Sequence, residues 1–129
     1  MLNVKTKTML LFILFTLFSS TAWADFEMAE AANQKGDRQT AFKEYYKAAN
    51  ANDTRAFGKL ASMYLYGLGT EKNYTLAFAW FGIAELSGDK YSAQFKKAAA
   101  SSMTREEIEK ADAIFKQLSQ KLELDQPKK

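Results

Sequence analysis

Residues 54–89 read TRAFGKLASMYLYGLGTEKNYTLAFAWFGIAELSGD, and the reading of this stretch decides the fold. Phe57, Leu60, Ala61, Tyr64 and Leu65 recur at i, i+3, i+4, i+7 and i+8, which gathers them on one face of a helix. Ala77, Trp80, Phe81 and Ala84 follow the same rule further on. Between the two patterns Gly67 and Gly69 flank Leu68, where a helix has to stop and the chain reverse. Glycine enters the left-handed backbone region there without the clash of a Cβ. The stretch therefore predicts a helical hairpin, with alanines where the two backbones come close.

The same spacings occur once more upstream. Ala41 and Ala77, Phe42 and Phe78, Tyr45 and Phe81, Ala48 and Ala84, and Asp53 and Asp89 are each 36 residues apart. A period of this size marks stacked helical hairpins, each burying its apolar face against the next. Working outward, Phe26, Met28, Ala29, Ala32 and Lys35 give a short helical pattern over 25–35, ended by Gly36, with Asp37 placed to cap a helix over about 38–50. Downstream, Tyr91, Phe95, Ala98 and Ala99 fall on one side of a segment over 91–102. Thr104 and Glu107 form a capping box, stapled by Met103 and Ile108. Ile108, Ala111, Phe115, Leu118 and Leu122 then carry a longer terminal helix to about residue 124, and 125–129 fray. The expected class is all-α: a short solenoid of stacked antiparallel hairpins with about six helices.

The first 24 residues stand apart from this pattern. Lys5 and Lys7 precede an apolar run from Met9 to Phe18, and Ala22-Trp23-Ala24 has the small-x-small form of a signal-peptidase site. Ten helical residues rise about 15 Å, roughly half of a bilayer's hydrocarbon core, which favours a cleaved signal peptide over an uncleaved anchor. The expected organisation is a signal peptide over 1–24 and one helical-repeat domain over 25–129. That domain divides into a degenerate unit (25–53), a full repeat (54–89), a half-repeat with a capping helix (90–124) and a tail (125–129). Loss of the leader removes two lysines and no acid, so the formal net charge falls from +3 to +1. A charge so near neutrality gives no reason to propose nucleic acid or an anionic membrane as partner. There is no cysteine, so core packing alone must hold the domain and the N-terminus has no lipid-attachment thiol. The product is expected in the periplasm or outside the cell, with no stable membrane insertion once the leader is gone.

Leu60-Ala61-x-x-Tyr64-x-x-Gly67-x-Gly69, followed by Ala77-x-x-Trp80-Phe81-x-x-Ala84-x-x-x-Gly88, resembles the Sel1-like repeat, a relative of the tetratricopeptide repeat. Residues 54–89 carry the resemblance and depart from it at Ala61, Thr70 and Asn73, where glycine, valine and aspartate are commoner. Residues 25–53 look like a degenerate tetratricopeptide-type unit, and 88–118 resemble the half-repeat and final helix that close such arrays. Lys96 and Lys97 stand where a full unit would place an apolar and a small residue. The resemblance implies a right-handed α-solenoid that serves as a protein-interaction scaffold in exported bacterial proteins, without catalysis or cofactor.

The residues themselves offer little chemistry. Histidine and cysteine are both absent, which removes the usual neutral-pH base, the thiolate nucleophile and the common transition-metal ligands. Glu106, Glu107 and Glu109 cluster at a helix start, where acids suit the macrodipole. Asp53 and Asp89 each precede a helix and read as N-caps. The Gly67–Gly69 pair lacks the strand-loop-helix setting of a phosphate loop. No catalytic, metal or cofactor residue is assigned.

Binding is read from the helix faces left over after packing. Arg55, Lys59, Ser62 and Tyr66 form a stripe beside the core positions of their helix, and Glu30, Asn33 and Gln34 join it from the preceding unit by the same registration. In hairpin arrays the first helix of each unit lines the concave surface, so these seven residues are the groove candidates. A basic stripe with a tyrosine suits acidic or polar peptide segments, since arginine and tyrosine make directional contacts at low entropic cost. The alternative for any one of them is a merely solvated helix face. Trp80 and Phe81 read as core, while Phe42 and Phe78 are placed to pack together along the convex side. The chain is therefore expected to be a non-catalytic adaptor that binds a protein partner; the alternative is a small periplasmic inhibitor or immunity protein that blocks one enzyme or toxin.

Overall fold

The computed structural model describes residues 21–124. Helix α1 covers 21–34 among them, followed by α2 (Arg38–Asn50), α3 (Thr54–Tyr66), α4 (Tyr74–Leu86), α5 (Ser92–Ala100) and α6 (Arg105–Lys121). No strand occurs among the described residues, and none of their helices is long and apolar enough to cross a membrane. The leader expected over 1–24 lies outside them except for its last four residues, which form the start of α1. The tail at 125–129 lies outside them altogether.

The caps fix where each helix begins. Asp37 accepts from the Thr40 amide, Asp53 from the Arg55 amide and Asn73 from the Leu76 amide. Thr104 and Glu107 close the expected capping box of α6. The 36-residue period of the sequence reappears in these bonds. Asp37 and Asn73 cap α2 and α4 at equivalent positions, and the amides of Asp53 and Asp89 donate to Ala48 and Ala84 at 2.9 and 3.0 Å. Even the left-handed residue of the turn is repeated, as Asn52 (φ 65°) in one unit and Gly88 (φ 99°) in the next. Asparagine is among the few non-glycine residues that enter this region readily.

Packing follows the same order along the chain: α2 on α3, α3 on α4, and α4 on both α5 and α6. Helix α4 sits at the centre, and seven consecutive or near-consecutive residues from Ala77 to Ala84 are buried. A helix apolar on every side is one that neighbours enclose. Tyr45, Phe57, Leu60, Phe81 and Ile83 are the large side chains most completely enclosed. Two close approaches set the spacing. Gly82 faces the ring of Phe115, and a Cβ on it would come within 2.9 Å of that ring. Gly69, with φ +70°, brings the α3–α4 loop against the start of α2 so tightly that a Cβ would lie 2.0 Å from the Arg38 carbonyl oxygen. At the far end α6 ties back to the α2–α3 turn: Asn52 donates to the Leu122 carbonyl at 3.3 Å, and Lys121 to the Asn50 side chain at 2.8 Å.

Two packing expectations change. Of the face proposed for α5, Ala99 is buried, whereas Tyr91 is 69% exposed and Phe95 39%. No further hairpin covers α5 among the described residues, so its outer side stays open. Phe42 finds its ring contacts within its own hairpin neighbourhood, edge-on to Tyr64 and beside Tyr46, while Phe78 lies under the Lys96 ammonium. Phe42 and Phe78 each take a nearer partner than one another.

Candidate functional site

Helices α3 and α5 diverge over the end of α4 and leave a groove of about 470 Å³. Arg55, Lys59 and Ser62 form the α3 wall, Tyr91, Ser92 and Phe95 the α5 wall, and Phe81 lies among the lining residues from α4. Phe95 stacks on Phe81 with ring centroids 5.4 Å apart and planes 16° from parallel, which gives the groove an aromatic side. Gly58 also lines it, and its missing side chain admits Asp89: a Cβ there would sit 3.1 Å from the Asp89 carboxylate. Asp89 is not the N-cap its place in the sequence suggests, since α5 starts after Tyr91 with no side-chain cap; it accepts instead from the Tyr91 amide and the Ser92 hydroxyl, both at 2.9 Å, in the turn ahead of the helix.

The cations of the α3 stripe are already engaged. Arg55 donates in plane to both carboxylate oxygens of Asp53, at 3.0 and 2.7 Å, and to Glu27 at 3.1 Å. Its guanidinium carbon also lies 4.0 Å from the ring centroids of Trp23 and Phe26. Asp53, more than any other neighbour, holds the guanidinium's pKa above its ordinary value. Lys59 pairs with Glu30 at 3.1 Å, and Glu30 also accepts from the Tyr45 hydroxyl. That hydroxyl is the chief cause lowering the Glu30 pKa, with Lys59 adding to it against the opposing effect of burial. The Tyr45 hydroxyl is driven well above the usual phenol range by burial first and Glu30 second.

The seven residues singled out from the sequence therefore separate. Arg55, Lys59 and Ser62 come together in the groove; Tyr66, at the C-terminal end of α3, is 55% exposed and stands outside its lining. Glu30, Asn33 and Gln34 lie on α1 and do not line it either. Glu30 serves to neutralise Lys59, and Ser62 spends its hydroxyl on the Gly58 carbonyl at 2.9 Å. The groove is thus no open basic patch, and its uncommitted surface is aromatic. The α5 wall was missing from the sequence reading, although the registration that pointed to α1 and α3 extends to Tyr91, Ser92 and Phe95.

Among solved structures, the chain is similar to the crystal structure of a protective antigen present in uropathogenic Escherichia coli strains that displays a Sel1-like repeat fold, with a TM-score of 0.74 and 26% sequence identity. This chain has the Sel1-like repeat fold. The match covers 78% of the chain and 23% of the antigen, so the chain spans about a quarter of that protein's length. No protein-family model matches the sequence, and no curated protein does. Within this fold α3 packs on α4, and the groove lies where α3 faces α5. Arrays of this kind are helical-repeat modules for protein interaction.

Proposed function

We propose that the chain is a non-catalytic adaptor that holds a segment of a protein partner in the groove between α3 and α5, acting in the cell envelope or outside the cell after loss of its leader. The observation that carries this reading is the groove's wall: the Phe81–Phe95 stack and the largely exposed Tyr91 present aromatic surface in a concave site flanked by hydroxyl groups. Aromatic side chains in a partly enclosed, desolvated site are the usual anchors of a protein interface. With Arg55 and Lys59 neutralised from within, and the Ser62 and Ser92 hydroxyls already bonded to Gly58 and Asp89, the partner segment that fits brings an apolar or aromatic side chain to Phe95 and Tyr91. The absence of histidine and cysteine supports a binding role over catalysis. The basic n-region, apolar run and Ala22-Trp23-Ala24 support export.

The test is co-isolation from envelope extract with the wild-type chain, Ser62→Arg and Phe95→Ala. Ser62→Arg fills the groove and Phe95→Ala removes its anchor surface, so both are expected to lose a partner that wild type and an α6 control, Asp112→Asn, retain. Equal recovery by all four overturns the groove assignment.

A further inference from the structure

Phe42 and Tyr46 of α2 and Tyr64 of α3 wall a second cleft, of about 500 Å³, completed by Lys43, Lys47 and Thr70 and sharing no residue with the groove. Phe42 stands edge-on to Tyr64 at 5.3 Å and lies 6.2 Å from Tyr46, so the three rings form one aromatic surface. Tyr46 is 47% exposed, so its ring is accessible from solvent. Neither phenol hydroxyl hydrogen-bonds to another described residue. Burial pushes the Tyr64 hydroxyl up, with Tyr46 adding to the shift, so it remains a protonated donor at neutral pH.

The cleft's lining contains two lysines and no acid. Lys47 is held by Glu44 at 2.9 Å, whereas Lys43 has no carboxylate partner among the described residues. An apolar floor, two uncommitted phenol donors and one unneutralised ammonium together match a ligand with an apolar body beside a negative charge. A neutral ring, such as a sugar, would use the floor and leave Lys43 unanswered. A bare anion would use Lys43 and leave the rings wet. We propose that this cleft binds an acidic peptide segment, seating one aromatic side chain against Phe42, Tyr46 and Tyr64 and setting the neighbouring carboxylate on Lys43. This site is independent of the groove and stands whether or not the groove takes a partner.

The probe is the blocked pentapeptide EEFEE, titrated into the full chain and followed by the tyrosine ring resonances, with KKFKK as its charge-reversed counterpart. EEFEE is expected to bind saturably, to move the Tyr46 and Tyr64 signals, and to bind at least tenfold more tightly than KKFKK. Lys43→Glu and Tyr46→Ala are each expected to weaken it at least fivefold, and Lys116→Glu, on the exposed side of α6, to leave it unchanged. Circular dichroism confirms that each variant is folded; should Tyr46→Ala not fold, Lys43→Glu, at an exposed position, decides. Equal affinity for the two peptides, shifts confined to Tyr91, affinity unchanged in Lys43→Glu, or no saturable binding overturns the proposal.

Discussion

The indole of Trp23 lies 4.0 Å from the guanidinium of Arg55, and Trp23 belongs to the Ala22-Trp23-Ala24 sequence at which a signal peptidase is expected to cut. The ring of Phe26 lies at the same distance from the same group. Arg55→Ala removes both stacking contacts and the bonds to Asp53 and Glu27. Because the side chain is about a third exposed, solvent screening trims the ionic part, and the loss is expected to be about 1 kcal/mol. For a domain of this size that lowers the melting temperature by roughly 4–8 °C. Arg55→Lys keeps the charge but not the planar fork, and is expected to recover less than half of the loss. Thermal unfolding of the three proteins checks the order.

Processing at Ala24 would remove Trp23 and leave Phe26 to cover Arg55 alone. The exported product is expected to begin at Asp25 by mass spectrometry. It is also expected to be less stable, by up to about 1 kcal/mol, than a chain that retains Trp23. An intact Met1 would show the leader to be an anchor.

Glu30 gives the fold a dependence on pH. Its folded pKa lies below the ordinary 4.5, because the Tyr45 hydroxyl and Lys59 favour the carboxylate. The unfolded chain then binds the proton more readily than the folded one, so the contribution is present above about pH 4.5 and is lost as the pH falls through the lowered folded value. Denaturation of wild type and Glu30→Gln from pH 7 to pH 3 is expected to show a gap that is widest at neutral pH and closes on the acid side. A gap independent of pH would mean that the carboxylate's charge is not what matters there.

Gly69→Ala is expected to be the most damaging single-methyl change in the chain. The left-handed backbone costs an alanine about 1–2 kcal/mol, and the new Cβ has no room beside the Arg38 carbonyl, which belongs to backbone and cannot rotate away. A loss of about 3 kcal/mol or more, measured by denaturant unfolding, is expected. Gly36→Ala, also at positive φ but with open space around it, is expected to cost only the backbone part.

Much of the fold was legible because its punctuation is local. Asp37, Asp53 and Thr104 cap helices through amides two or three residues away, and a 36-residue offset in side chains requires the same offset in turns. Ala41, Tyr45, Leu60, Phe81 and Ala84 are buried as their spacing demands. The site was less legible because its electrostatics are set across helices. Nothing near Arg55 in sequence announces that Glu27, Trp23 and Phe26 surround it, nor does the Lys59 stripe reveal that Glu30 reaches over from α1. The spacing that puts Tyr91 and Phe95 on one side of α5 does not say whether that side is covered; here no further hairpin lies beside it among the described residues, and both stay exposed.

The central claim, that the space between α3 and α5 receives a partner segment, is tested most directly by a photo-crosslinking residue placed at Ser62, at Tyr91 and, as a control, at Asp112 on α6. The account predicts that Ser62 and Tyr91 crosslink to one and the same protein in the native envelope, that excess unlabelled chain competes this away, and that Asp112 does not reach it. Crosslinks to that protein from Asp112 alone, or to unrelated proteins from Ser62 and Tyr91, would contradict it.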